Sequence, residues 1–159
     1  MKKYNLILVL LLLISFVIIS CGDDDNLDEP NYISSKIDEV NWDGVPEINI
    51  NHVNDTLTLL GSGNEQVIVF KIKFNGVGTY NLSGSQASYY TTIGGDVITS
   101  LYTLDENFSS QITVTNYNLE ENIVKGNFEL LLLKKWSNPE NNVNSLGFTN
   151  GQFRGIIAD

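Results

Sequence analysis

One cysteine, one histidine and a scatter of carboxylates and aromatic rings are the side chains here that could do chemistry. Cys21 has no second cysteine to pair with, so an intramolecular disulfide is excluded. His52 lies on an alternating stretch beside Ile48 and Ile50; without a second histidine or another thiol it makes a poor start for a zinc site. A serine hydrolase would need His52 as its base, but no Gly-x-Ser-x-Gly elbow is present. Asp43, Glu47, Asp96, Asp105, Glu106, Glu120 and Glu121 would have to converge in pairs about 5–9 Å apart to hydrolyse a glycoside. Most fall in turn-like stretches, where acidic side chains bond to nearby backbone. No glycine-rich phosphate loop precedes a helix. The expectation is a non-catalytic chain with no cofactor and no metal.

Aromatic residues offer a second kind of chemistry. Tyr89-Tyr90-Thr91-Thr92 places one tyrosine on each face of a strand, and Tyr102, Tyr117 and Trp136 add further rings. Sugars stack on such rings, and amphipathic aromatics suit wet interfaces. Tyr89, Tyr90 and Trp136 are therefore the candidate ligand-facing aromatics. The competing reading is that about half of these rings fill the core.

The surroundings of Cys21 suggest its fate. Met1-Lys2-Lys3 is a basic start, and Leu6 to Ile19 is apolar except for Ser15. That run of about 14 residues has signal-peptide length and falls short of the ~20 needed to span a bilayer. Ile18-Ile19-Ser20-Cys21 resembles the bacterial lipobox, with small Ser20 at the scissile position and Cys21 as the lipid acceptor. Residues 1–20 then read as a lipoprotein signal peptide, and 21–31 as the lipidated cysteine with an acidic flexible tether. Residues 32–159 form one β domain, anchored in the membrane through acyl chains on Cys21. Asp23-Asp24-Asp25 resembles the acidic signal that sends many Bacteroidota lipoproteins to the cell surface, which implies an outer-membrane, surface-exposed location. The periplasmic face is the alternative.

The chain has 159 residues and a formal charge of −10, and loss of Lys2 and Lys3 with the leader makes the remainder more acidic. Its few cations are scattered, which excludes a nucleic-acid partner and a polybasic membrane patch. A domain of about 130 residues can bury a core without staples.

After Cys21 no amphipathic helical stripe runs for three turns. Short β-prone runs follow one another instead: Ile33–Ile37, Glu47–Val53, Thr56–Leu60, Val67–Phe74, Gly78–Leu82, Ala87–Thr92, Val97–Leu104, Gln111–Tyr117, Ile123–Leu133 and Leu146–Ile157. Asn54-Asp55 predicts a turn, Gly61-Ser62-Gly63-Asn64 a break, and Asn75-Gly76 a hairpin turn. Ser137 to Asn144 reads as a polar loop. The fold class is all-β, an antiparallel sandwich of about 8–10 strands, with a closed barrel as the alternative. Gly126 and Gly151 each stand two residues before a phenylalanine, which predicts close strand crossings with Phe128 and Phe153 in the core. Trp42 reads as a core or edge plug.

Ile33-Ser34-Ser35-Lys36-Ile37-Asp38-Glu39-Val40-Asn41-Trp42 resembles the opening of a Bacteroidota lipoprotein family of unknown function. The resemblance continues through Gly78-Thr79-Tyr80, Gln111 to Tyr117, Val124 to Phe128 and Asn150-Gly151-Gln152-Phe153. It implies a lipid-anchored envelope address and a β fold, and the family has no established activity to carry over. The expectation is an interaction module for an unidentified protein or envelope partner. A glycan-binding module is the alternative, with a glycoside hydrolase behind both.

Overall fold

The computed structural model describes residues 29–158, and these contain strands and turns without a helix. The ten strands are β1 Tyr32–Ile37, β2 Val40–Asn51, β3 Thr56–Gly63, β4 Gln66–Lys73, β5 Gly78–Asn81, β6 Ala87–Ile93, β7 Val97–Leu104, β8 Gln111–Asn118, β9 Ile123–Ser137 and β10 Ser145–Ala158. They form one sheet in the order β1-β10-β2-β3-β4-β6-β7-β9-β8-β5, with β1 also pairing β2 and β10 also pairing β9. Every pairing is antiparallel except a short parallel contact that sets Ile157 and Ala158 of β10 beside Ile48 and Asn49 of β2.

Strand β9 is the junction of the sheet. Along one edge it pairs β10 from Ile123 to Leu133. Along the other, Ile123 to Glu129 pair β8 and Leu132 to Ser137 pair β7. The two layers expected of a sandwich are thus continuous parts of one sheet that curves around a single core. Only β5 ends a branch, paired to β8 alone.

Alternation in sequence becomes the inside and outside of the sheet. Ile48 and Ile50, Leu57 and Leu59, and Ile68, Phe70 and Ile72 are buried on the inner face, while Lys71 and Lys73 point out. The Leu130–Leu133 run, which lacks alternation in sequence, alternates in space: Leu130 and Leu132 are buried, Leu131 is half-buried and Leu133 exposed. Trp42 is buried and donates its indole N–H to the Gly63 carbonyl at 3.3 Å. The first hairpin turns on Asp38 and Glu39, both at positive φ (47° and 68°), the two-residue geometry that matches strand twist and normally takes Asn-Gly. Its backbone and the Asp38 carboxylate are tied to Gly147 of β10 at 2.8–2.9 Å.

Three sequence expectations are corrected. Gly61-Ser62-Gly63 does not break β3; the turn comes afterwards, at Asn64 and Glu65, both at positive φ. The glycines mark crowding: a Cβ on Gly61 would stand 2.8 Å from Ile33 and one on Gly63 2.2 Å from the Asp43 carbonyl. Asn75-Gly76 does turn the chain, but β5 leaves β4 and pairs β8; the Tyr80 hydroxyl holds this turn by donating to the Gly76 carbonyl at 2.6 Å. Strand β2 begins at Val40, well before the expected Glu47, and runs through Pro46. Pro46 lies between the last β1 pair (Gly44–Ile33) and the first β10 pair (Ile48–Ile157), a break in the ladder where proline is tolerated.

Candidate functional site

The outward face of the sheet divides into two surfaces of opposite character. Cross-strand partners on β2, β3, β4, β6, β7 and β9 place Val45, Ser62, Val67, Tyr90, Leu101 and Trp136 side by side. At about 4.8 Å per strand, Tyr90 and Trp136 flank Leu101 with roughly 10 Å between their backbones. Trp136 is 42% exposed, and Tyr90, Leu101 and Val67 are half-buried. The next row on the same face is mixed: Glu47, Leu60, Val69, Ser88, Thr103 and exposed Leu133. Across the other strands, β5, β8, β9, β10, β1 and β2, the outward ladder is Thr79, Thr113, Asn127, Gln152, Ser34 and Asp43, polar throughout.

This division sorts the aromatic candidates. Tyr90 and Trp136 are brought onto one surface. Tyr89 is not: it is 4% exposed and packs edge-on against Tyr102 and Phe148, with centroids 5.9 and 5.4 Å away. Its partner across the strands is buried Ile68, which fixes it on the inner face. Burial, with a smaller contribution from Tyr102, raises its hydroxyl well above the usual tyrosine range, so Tyr89 is a neutral core ring and faces no ligand. Trp136 belongs to β9, which runs on to Ser137 and leaves a shorter polar loop than expected. Leu101, the centre of the apolar row, was not a sequence candidate; only the register across β6, β7 and β9 reveals it.

His52 is exposed in the turn between β2 and β3 and not on the strand itself. The carboxylates are divided between β2 (Asp43, Glu47) and three turns: Asp96 after β6, Asp105 and Glu106 after β7, and Glu120 and Glu121 after β8. Two of these carboxylates brace loops: Asp105 accepts from Asn107 N–H at 2.9 Å and Glu106 from Gly84 N–H at 2.7 Å. Ile18, Ile19, Ser20, Cys21 and Asp23, Asp24 and Asp25 lie outside the described residues.

Where the described chain begins, a charged latch holds it to the sheet. Glu29 Oε2 lies 2.7 Å from Lys125 Nζ on β9 and 3.1 Å from Arg154 Nε on β10. The first is a hydrogen-bonded ion pair; the second is a contact of opposite charges. Arg154 also donates to Asn31 Oδ1 at 3.1 Å. Arg154 sits between inward-facing Phe153 and Gly155 and so projects outward, yet it is only 2% exposed. The hydrogen bond and charge of Lys125, followed by the charge of Arg154, hold the Glu29 carboxyl below its ordinary value of 4.5. A depressed folded value stabilises the fold above the unfolded value and loses that effect as pH falls through the folded one. We expect Glu29→Gln to lower the thermal midpoint at pH 7, and the gap from wild type to close as pH falls below about 4.5, read from melts between pH 7 and pH 3. A gap that does not change with pH would refute the latch.

The family model for a domain of unknown function, DUF6252, matches residues 30–156. The chain belongs to the DUF6252 family. Its match begins beside Glu29 and ends within β10, so both outward surfaces lie inside the DUF6252 domain. No curated protein and no solved structure matches the chain.

Proposed function

We propose that this DUF6252 chain is a lipid-anchored protein of the bacterial cell envelope, displayed at the outer surface. Its β domain is a non-catalytic interaction module. The observation that carries the interaction reading is the outward row Val67, Tyr90, Leu101 and Trp136, with Leu133 beside it. A continuous apolar surface rimmed by polar groups marks an interaction site more often than scattered single residues do, and Tyr and Trp are the side chains that most often anchor such contacts. The anchor rests on the basic start, the apolar run and Ile18-Ile19-Ser20-Cys21. The surface address and the Bacteroidota setting rest on Asp23-Asp24-Asp25 and the family resemblance.

The test is photo-cross-linking in intact cells from a benzoylphenylalanine placed at position 101. The expected result is a recurrent adduct with one envelope component, lost in Tyr90→Ala/Trp136→Ala and reduced to background when the probe is moved to exposed Val53 in the β2–β3 turn. Adducts with lipid alone, or the same products from both positions, would sink the reading.

A further inference from the structure

We propose that the polar half of the outer face is a binding groove for a neutral polysaccharide, centred on a bulge in β10. This goes beyond the partner-binding reading, because it uses the opposite surface. Between Phe148 and Gly151, β10 carries one residue more than β9, and a matching shift separates it from β1. Asn150 sits there at φ 53°, and Gly151 rests on the Phe128 ring, where a Cβ would stand 2.5 Å from ring atoms. Bulges re-aim side chains and open the sheet surface locally. Here the result is a hollow of about 290 Å³ lined by Gln111, Asn127, Glu129, Asn150 and Gln152, with Phe128 and Gly151 at its base. A second hollow of about 230 Å³ shares Asn150 and continues to Ser34, Asn41 and Asp43.

The amides in this groove are idle. Elsewhere amides brace turns: Asn118 Oδ1 accepts from Glu120 N–H, Asn141 Oδ1 from Val143 N–H, and Gln86 Oε1 from Ser83 N–H. Among the described residues, the side chains of Gln111, Asn127, Glu129, Asn150 and Gln152 make no hydrogen bond to the protein. Each amide presents two donors and an acceptor, the pattern that adjacent sugar hydroxyls complement. The ligand is neutral because Glu129, Asp43 and a chain charge of −10 repel anions, and Lys36, the one cation lining the second hollow, is paired with Glu39 at 3.4 Å. It is a sugar and not a peptide strand because β9 and β10 already have neighbours on both edges, so neither offers a free backbone ladder. From β8 to β2 the joined hollows cross five strands, about 19 Å at ~4.8 Å per spacing, which accommodates several sugar rings of a polymer.

The experiment is affinity gel electrophoresis of the full-length chain in detergent, through gels containing dextran, mannan or xylan. The expected result is retardation by at least one of the three. Asn127→Ala/Gln152→Ala should weaken it at least tenfold without moving the thermal midpoint, since both side chains point outward, while Tyr90→Ala/Trp136→Ala should leave it intact. No retardation by any of the three polymers overturns the proposal. So does retardation that survives Asn127→Ala/Gln152→Ala, or that is lost with Tyr90→Ala/Trp136→Ala. A chain that cross-links through position 101 but is never retarded keeps the interaction reading and loses this one; the reverse pattern does the opposite.

Discussion

A Cys21→Ser chain is expected to carry no palmitate label and to keep its leader, running about 20 residues longer than the processed wild type on a gel. Serine matches cysteine in size but offers no thiol to accept a diacylglycerol. Without that modification the lipobox-like Ile18-Ile19-Ser20 site is expected to stay uncut. The effect is close to all-or-none. Each buried methylene contributes about 0.8 kcal/mol, so one acyl chain binds marginally and two or three hold permanently. Metabolic labelling with an alkynyl palmitate, read beside the intact mass, checks it. A wild type that is processed but unlabelled would replace the lipoprotein reading with an ordinary secretory leader. A labelled Cys21→Ser chain would place the lipid elsewhere.

Gly126→Ala and Gly151→Ala should each destabilise the domain by about 3 kcal/mol or more, a fall in thermal midpoint on the order of 10 °C. The two glycines and two phenylalanines form a reciprocal pair across β9 and β10: Gly126 faces Phe153 and Gly151 faces Phe128. Each ring lies over the opposite strand's glycine and fills the place of its missing side chain. A Cβ on Gly126 would stand 2.1 Å from the Thr113 carbonyl and 2.6 Å from the Phe153 ring; on Gly151 it would stand 2.5 Å from the Phe128 ring and 2.6 Å from the Phe128 carbonyl. Neither strand can yield easily, since β9 is held on both edges. Gly147→Ala, also in β10, is the internal control: its Cβ would meet only Asp38 Oδ1, at 3.5 Å. Thermal melts of the three variants decide the matter. Equal midpoints would contradict the crossing.

The Gly–Phe spacing was legible because it is local. A spacing of two from glycine to ring fixes both on one face of a strand, and Phe128 and Phe153 are buried as that predicts. The inner face of β4 was readable for the same reason. What local patterning does not carry is the partner. Asn75-Gly76 has the chemistry of a hairpin, yet the strand after it is claimed by β8, a neighbour more than 30 residues away. Gly61 and Gly63 look like punctuation, but they exist because Ile33 and the Asp43 backbone press against β3. Tyr89 and Tyr90 were known to face opposite ways; which one faces in depends on Tyr89 standing opposite Ile68.

The candidate surfaces were less legible than the core for a related reason. Asn127 and Glu129 alternate with Gly126 and Phe128, so their outward direction could be read from sequence. That Gln152 and Gln111 stand beside them could not, because those neighbours come from strands distant in the chain. One leucine in a strand signals nothing by itself; Tyr90 and Trp136 on either side of Leu101 are what single it out. Glu29 looked like part of the tether; its grip on Lys125 and Arg154 depends on β9 and β10 lying together.

The most direct test of a lipid-anchored module at the cell surface is to shave intact cells with a protease while following a tag placed after Asp159. The account predicts that the tag is lost from unbroken cells while a periplasmic control protein survives. A tag that stays intact until the cells are lysed would contradict the surface address and leave Asp23-Asp24-Asp25 as a tether alone.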